Sequence, residues 1–240
     1  MTAANELYEE RLKRIKTAAA LEKPDRVPVV PLANAFCARH MGVKMSEFCT
    51  NPKISNETII KSFSRLGEFD GLQSAAFYAT GLSTLWLSKV KLPGYDLPEN
   101  ELWQVDEREL MTIEDYDAII DKGYNEFLSD YYRERLDNLE AKLQPLSYMP
   151  QAQIVLFCGG MATIPYESFC GGRSMPAFLK DLFRIPDKVQ EAMDVAMVDI
   201  LENTRQMLRA AKPIAIWTGG WRSASEFLSP RLWNRFVFPY

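Results

Sequence analysis

The stretch Lys212-Pro-Ile-Ala-Ile-Trp-Thr-Gly-Gly-Trp221 decides the fold. Residues 213–217 form a short apolar run bounded by turn residues, which is typical of a buried parallel strand. Gly219 and Gly220 follow it, and glycine permits a positive φ and the close approach of a ligand to the backbone. Ser229 and the proline after it are an N-cap and a first helical residue. The sequence therefore predicts a strand, a binding loop and a helix.

The overall composition excludes several classes of function. The chain has 240 residues, of which 47% are hydrophobic and 25% charged, with a net charge of −4. We therefore expect a single globular domain over residues 1–240, without a general attraction for nucleic acid or an anionic membrane. No apolar run approaches the ~20 residues that cross a bilayer, and the polar N-terminus is not a secretory signal. The cysteines form no CxxC pair, which favours reduced thiols and a cytoplasmic location: Cys37, Cys49, Cys158 and Cys170.

Apolar runs and helical periods alternate along the chain. Strands are predicted at 26–32, 69–75, 153–158 and 213–217, with a small additional strand at 102–105. Helices are predicted at 6–21, 46–66 (interrupted near Asn51-Pro52), 112–121 (opened by the capping box Thr112-Ile-Glu-Asp115), 125–143, 174–183 and 186–211. Residues 34–40 and 77–100 are predicted to be loops. Strands joined by long helical connections indicate an α/β protein with a parallel sheet, in which ligands bind beyond the carboxyl ends of the strands. A doubly wound sheet remains possible, although no GxGxxG or P-loop supports nucleotide binding.

Two motifs resemble those of a known superfamily. Phe157-Cys-Gly-Gly-Met-Ala-Thr163 is similar to a strand-end pattern of the uroporphyrinogen decarboxylase superfamily, and residues 169–189 resemble the stretch that follows it. Leu228-Ser-Pro-x-x-Trp-x-x-Phe-x-x-Pro-Tyr240 resembles a longer pattern of the same superfamily, and Asp25-Arg-Val-Pro-Val29 and Phe48-Cys-x-Asn-Pro52 fit its opening. The resemblance implies a (β/α)8 TIM-type barrel that is incomplete here, with about the first four β/α units. We expect such a chain to self-associate or to pair with the missing C-terminal half.

The resemblance implies one of two branches. The decarboxylases carry Arg-x-x-x-Arg beyond the first strand, because their porphyrin precursor has many carboxylates, and an aspartate past the second strand. Residues 31–36 contain no arginine, Arg39 being the nearest, and residues 74–78 contain no carboxylate. By elimination the chain resembles the corrinoid-dependent methyltransferases and O-demethylases, in which a zinc-bound thiolate accepts a methyl group from cobalt. Tetrapyrrole decarboxylation in heme biosynthesis remains the alternative, and a non-catalytic binding or assembly module from a truncated gene is the second.

The cofactors of that branch are expected to lie elsewhere. The resemblance places the zinc ligands beyond Tyr240, so we expect this chain to bind no metal or cofactor itself, with zinc and a corrinoid implied for a full-length relative. Cys37 and His40 are the single Cys/His cluster of the sequence, and they make only half a metal site. We interpret them as a structural pair. The expected partners are a small molecule or a corrinoid protein.

The candidate site follows from the rule that ligands bind beyond strand ends. Glu167 is the candidate general acid or base because of its position. The candidate substrate-binding residues are Asn34, Phe77, Tyr78, Gly159, Gly160, Tyr166, Thr218, Gly219, Gly220 and Trp221. Turn geometry accounts for the glycines equally well, and core packing accounts for Tyr166 and Trp221 equally well. Asp70 starts a strand rather than ending it, so it is expected to point away from the active face and is predicted to be structural.

Overall fold

A computed structural model of the chain describes residues 3–32, 34–144 and 154–240. The helices are α1 (Ala3–Ala19), α2 (Asn34–Met41), α3 (Met45–Thr50), α4 (Pro52–Leu66), α5 (Leu82–Trp86), α6 (Glu114–Lys122), α7 (Tyr124–Glu134), α8 (Leu139–Lys142), α9 (Pro165–Gly172), α10 (Met175–Arg184), α11 (Pro186–Ala211) and α12 (Pro230–Phe236). The strands are β1 (Gly71–Leu72), β2 (Lys89–Lys91), β3 (Gln104–Asp106), β4 (Val155–Leu156), β5 (Cys158–Ala162) and β6 (Ala215–Thr218). The described helices include none that is both long and apolar enough to cross a membrane.

The parallel strands lie side by side in chain order. Strand β1 pairs with β4, and β5 pairs with β6, in both cases in parallel. Because β4 and β5 are successive parts of one extended stretch, that stretch lies between β1 and β6. Strands β2 and β3 form a separate antiparallel hairpin, in which Val90 pairs with Val105. The arrangement is that of a partial TIM-type barrel, and the described strands form no closed barrel.

Helix caps follow the sequence signals. The side chain of Asn51 accepts hydrogen bonds from the amides of Lys53 and Ile54 and so separates α3 from α4, which confirms the predicted interruption. Ser229 caps α12 by accepting from the Leu232 amide. The Asp115 carboxylate accepts from the Thr112 amide at 2.6 Å, which is half of the predicted capping box.

Several predicted boundaries are wrong. Residues 27–32 are extended but are not a strand, because Pro28 and Pro31 lack the N–H groups of a ladder. Residues 34–40 lie in helix α2 rather than in a loop, and the 77–100 segment contains a 3₁₀ turn (Ala79–Gly81), α5 and β2. The predicted helix 125–143 is divided into α7 and α8, because Asp137 and Asn138 adopt positive φ.

The third predicted strand runs further than expected. Its first residue, Gln153, lies outside the described residues. Strand β5 continues through Gly159 and Gly160 to Ala162, so these glycines lie within the strand and not in the loop after it. Gly171 and Gly172, in the 169–189 stretch, form the end of helix α9. Helix α11, by contrast, has the predicted bounds.

The core has two parts of unequal size. The larger is built from helices α6 to α12 and includes Tyr116, Phe169 and Phe236, all fully buried. The smaller packs α2, α3 and α4 around Leu72 of β1. Within β5 and β6, whose residues are all described, no residue is fully buried, and Met161 is 46% exposed. The sheet is therefore packed on its helical side and open on the other.

A buried carboxylate holds the amino end of β1. Asp70 has no exposed surface and accepts hydrogen bonds from Arg14 (2.6 Å), from both terminal nitrogens of Arg26 (2.8 Å each) and from the Val29 amide (2.7 Å). The Asp70 amide in turn donates to the Val29 carbonyl at 2.8 Å. Burial disfavours the charged carboxylate, but the hydrogen bonds from Val29, Arg26 and Arg14 outweigh it, so the pKa of Asp70 lies below its usual value. The structure thus gives Asp70 the structural position that the sequence predicted.

We predict that Asp70→Asn lowers the free energy of unfolding by about 3–5 kcal/mol, because it leaves the buried Arg14 without its full complement of acceptors. Urea unfolding followed by circular dichroism measures the loss. Asp121→Asn, at an exposed position of α6, is the matched control and is expected to change stability by less than about 0.5 kcal/mol. Equal stability of the two variants would contradict the structural role of Asp70.

The same pair of proteins tests the pH dependence. A carboxylate whose pKa is lower in the folded state stabilises the fold above its unfolded pKa of about 3.9, and this contribution is lost as the pH falls through the folded pKa. The difference in unfolding free energy between the natural protein and Asp70→Asn is therefore expected to be constant above about pH 5 and to shrink at lower pH.

Candidate functional site

The loop that follows β6 is held by the buried carboxylate of Glu167. Glu167 lies on α9 and has no exposed surface. Its Oε1 accepts from the Arg222 amide, the Ser223 amide and the Ser223 hydroxyl, each at 2.9 Å, and its Oε2 accepts from the Arg222 amide at 3.1 Å. The predicted acid or base is thus enclosed among the donors of the binding loop.

The two glycines of this loop are required by the chain itself. A Cβ at Gly220 would lie 2.2 Å from the Glu167 Oε1 and 2.3 Å from the Ser223 Oγ. Gly219 has a φ of +154°, and a Cβ there would lie 3.1 Å from the Trp217 ring. Close packing against Glu167 and Trp217 therefore explains both residues without a ligand.

Six aromatic rings contact one another in a row that runs from Phe48 of α3, which is fully buried, to Trp217 of β6, and the row reaches solvent at Trp221. We call it the aromatic platform, and its members are Phe48, Phe77, Trp103, Trp86, Trp221 and Trp217. Trp217 and Trp221 are stacked at 4.6 Å with an interplanar angle of 20°, and Trp86 meets Trp221 edge to face at 5.4 Å. Trp103 joins Trp86 (6.1 Å) to Phe77 (5.9 Å), and Phe77 stacks on Phe48 at 6.2 Å. Trp221 is 48% exposed, so the platform presents an indole to solvent.

The cation beside the platform is already neutralised. The Arg222 guanidinium lies 5.9 Å from the centre of the Trp86 ring and donates to both oxygens of Glu107, at 3.0 and 2.7 Å. Burial raises the pKa of Glu107, but the hydrogen bonds from Arg222 and from the Met175 amide lower it. The hydrogen bonds outweigh burial, so the pKa lies below its usual value. The Arg222 guanidinium is therefore already paired with a carboxylate when an anionic ligand approaches.

Two buried polar atoms near this region have no hydrogen-bond partner among the described residues: the Nε1 of Trp86 and the hydroxyl of Tyr166. Buried donors without an acceptor are uncommon in folded proteins. Trp86 belongs to the platform. Tyr166 is fully buried and meets Phe178 edge to face at 5.0 Å, so its ring packs in the core and is not available to stack on a ligand.

The remaining predicted residues divide into two groups. Phe77 and Trp221 are both members of the platform, where Trp103 and Trp86 lie between them. Thr218 is the exposed last residue of β6. Asn34 begins α2 and is half-buried, with no contact to the platform shown. The hydroxyl of Tyr78 donates to the Lys142 carbonyl at 2.8 Å and so joins the 73–78 loop to α8.

Gly159 and Gly160 lie close to other parts of the chain. A Cβ at Gly159 would lie 2.6 Å from the Cβ of Pro213, and one at Gly160 would lie 2.6 Å from the Sδ of Met207. Both glycines therefore allow β5 to approach the end of α11 and the start of β6.

Sequence reasoning missed Trp86, Trp103, Glu107 and Arg222. The density of aromatic residues in the segment 77–103 was the available signal for the two tryptophans. Nothing in the sequence indicates that Glu107 pairs with Arg222, because the pairing depends on the tertiary fold.

The described side chains do not form a zinc site. They contain no group of three or more His, Cys, Asp or Glu residues placed to hold a metal ion. The Nδ1 of His40 lies 2.9 Å from the Ser62 Oγ, and its ring stacks on Phe36 at 5.3 Å. Cys37 is fully buried, and burial raises the pKa of its thiol. Cys37 and His40 are thus engaged in the packing of α2 on α4.

Comparisons with known proteins point to one family. The family model described as uroporphyrinogen decarboxylase (URO-D) matches residues 10–240. Among solved structures, a methyltransferase from Methanosarcina mazei has a similar fold, with a TM-score of 0.60 and 16% sequence identity. The match covers 95% of this chain and 64% of that chain, so this chain spans less than two thirds of the methyltransferase. No curated protein matches the chain significantly.

We predict that the four thiols differ in reactivity. Burial raises the pKa of Cys49 and of Cys170 to about 12, and it raises the pKa of Cys37 and Cys158 as well. Only Cys158 is less than fully buried, so iodoacetamide is expected to modify it first in the native protein. Mass spectrometry after alkylation, with urea-unfolded protein as the control, measures this order. Rapid labelling of Cys170 in the native state would contradict the packing described here.

Proposed function

The chain belongs to the uroporphyrinogen decarboxylase family, and from that premise we propose that it binds a methyl-bearing substrate or a corrinoid on the aromatic platform, within a corrinoid-dependent methyltransferase system. This function is that of the methyltransferase branch of the family, which the missing arginines of residues 31–36 favour. The similarity of fold to a methyltransferase agrees with this choice, but its 16% identity supports the fold alone.

One observation carries the proposal: the platform reaches solvent at Trp221, and the guanidinium that lies against its Trp86 ring, that of Arg222, is already paired with a carboxylate. Trp221 and Trp217 offer a flat, apolar face, and such rings bind planar or methyl-bearing groups by stacking and dispersion. Arg222 is already held by Glu107. A substrate with many carboxylates requires several free guanidinium groups, and the one that lies against the platform is not free.

The residues of this chain have a binding role in the proposed reaction. A corrinoid held against Trp221 and Trp217 would supply a methyl group for transfer to a thiol. We propose that Trp221 and Trp86 exclude water from one side of the transferred group, because water in the site would solvate the thiolate and lower its reactivity. The zinc ligands would come from the part of the methyltransferase fold that this chain does not span.

We also propose that further protein covers the open side of β5 and β6, either a second copy of this chain or the rest of the fold. The half-exposed Met161 and the lack of a fully buried residue in either strand support this. Sedimentation of the purified chain at several concentrations is expected to show a dimer or larger species. A monomer at all concentrations, with the same secondary structure, would contradict self-association and leave the second arrangement.

A binding experiment tests the proposed function. We expect the chain to bind methylcobalamin, detected by quenching of tryptophan fluorescence, and to bind uroporphyrin, a stand-in for the decarboxylase substrate, much more weakly. Trp221→Ala is expected to weaken methylcobalamin binding about tenfold, because a stacked indole contributes on the order of 1 kcal/mol. Phe183→Ala removes a similarly exposed ring from α10 and is the matched control, with no change expected.

The other outcomes separate the alternatives. Tight binding of uroporphyrin without binding of methylcobalamin would support tetrapyrrole decarboxylation. Binding of neither compound would support a non-catalytic module and contradict the proposal.

A further inference from the structure

We propose that Glu167 is a positioning residue, whose buried carboxylate fixes the loop after β6 so that Trp221 is held between Trp217 and Trp86. This inference deepens the proposed function and, in its consequence for ligand binding, rests on it. The arrangement of the three indoles is inferred from the contacts of α9 alone and does not depend on the proposed ligand.

The first step is the geometry of the loop. The amides of Arg222 and Ser223 both point at the Glu167 carboxylate, at 2.9–3.1 Å. The side chains of Trp221 and Arg222 extend in different directions from these two amides. Trp221 stacks on Trp217, whereas Arg222 binds Glu107. Since both amides are fixed by one carboxylate, the directions of the two side chains are coupled to the position of Glu167.

The second step is that α9 also fixes Trp86. The Ser168 hydroxyl donates to the Leu85 carbonyl at 3.0 Å, and the Ser88 hydroxyl donates to the Gly171 carbonyl at 2.8 Å. A Cβ at Gly171 would lie 2.0 Å from the Trp86 carbonyl oxygen, so the two backbones are in direct contact. One helix thus holds Trp86 through its backbone contacts and Trp221 through Glu167.

The rigidity of α9 makes it suitable for this role. Every residue from Pro165 to Gly172 is buried, and the helix contributes Tyr166 and Phe169 to the larger core while it contacts the end of α5. The 5.4 Å contact between Trp86 and Trp221 therefore depends on two sets of contacts to the same rigid helix. A shift of the loop at its Glu167 contact would change this contact without any change in Trp86.

The third step concerns why a carboxylate is needed. Each hydrogen bond to Glu167 comes from an N–H or O–H donor, and a carboxylate has two oxygens that only accept. An amide of the same shape would place an NH₂ group opposite a backbone N–H, so one contact would become repulsive. Glu167→Gln is therefore the conservative variant that removes the charge and one acceptor while it keeps the volume.

The loop has a second attachment that lets the protein fold in such a variant. The indole nitrogen of Trp233 on α12 donates to the Ser223 carbonyl at 3.1 Å. We expect Glu167→Gln to remain folded, with a loop that is attached but no longer held in one conformation.

The experiment measures the stacked indoles directly and then the ligand. The far-ultraviolet circular dichroism exciton signal of the Trp217–Trp221 pair is expected to fall in Glu167→Gln, and methylcobalamin binding is expected to weaken about tenfold. Gly220→Ala approaches the same contact from the loop side, because its Cβ would lie 2.2 Å from the Glu167 Oε1, and the same two losses are expected.

The controls are Glu126→Gln, at an exposed position on α7, and Gly81→Ala, where the nearest heavy atom to a Cβ is 3.9 Å away. Both controls are expected to keep the exciton signal and the binding of the natural protein. If Glu167 serves stability alone, Glu167→Gln melts at a lower temperature but keeps the exciton signal and methylcobalamin binding of the natural protein below that temperature. This result would overturn the proposal.

The two proposals fail separately. If the natural protein does not bind methylcobalamin, the proposed function is contradicted, but the exciton signal still tests the positioning of Trp221. If the exciton signal is lost in Glu167→Gln while its methylcobalamin affinity equals that of the natural protein, the link between Glu167 and ligand binding is overturned.

Discussion

The Asp70 carboxylate joins the three segments from which the rest of the sheet is built. It binds Arg14 of α1, Arg26 and the Val29 amide of the extended segment, and it directly precedes β1. A first segment with two prolines cannot form a full ladder with β1, so side-chain hydrogen bonds replace part of the missing backbone pairing. Strand β4 then pairs in parallel with β1, and β6 pairs in parallel with β5. The buried ion pair therefore fixes the chain at the start of the first parallel strand.

A second buried carboxylate lies at the opposite end of the sheet. Asp70 is at the amino end of β1, whereas Glu167 holds the loop beyond the carboxyl end of β6. In barrels of this type the amino ends of the strands serve stability and the carboxyl ends carry the site. The two carboxylates follow that division, because one organises the polypeptide and the other organises the surface that we propose as the binding site.

The charged groups of the candidate site already have partners within the protein. Glu107 and Arg222 neutralise each other, and Glu167 is enclosed by amides, so the solvent-facing surface is left to Trp221 and the rings behind it. This is the surface on which we propose that a methyl-bearing substrate or a corrinoid binds. The chain spans 64% of the similar methyltransferase, and the open side of β5 and β6 agrees with a fold that is completed by further polypeptide.

The sequence by itself determined the parallel α/β architecture, helix α11, the caps at Asn51 and Ser229, and the family, because these depend on local periodicity, capping chemistry and motif spacing. It also indicated that Gly219, Gly220 and Trp221 belong to one loop beyond a strand. Only the tertiary structure decided that Gly159 and Gly160 lie inside β5, that Tyr166 packs in the core, and that Glu167 anchors a loop 55 residues away. Contacts between distant segments decide these points, since the same carboxylate or glycine is compatible with several local roles until its neighbours are in place.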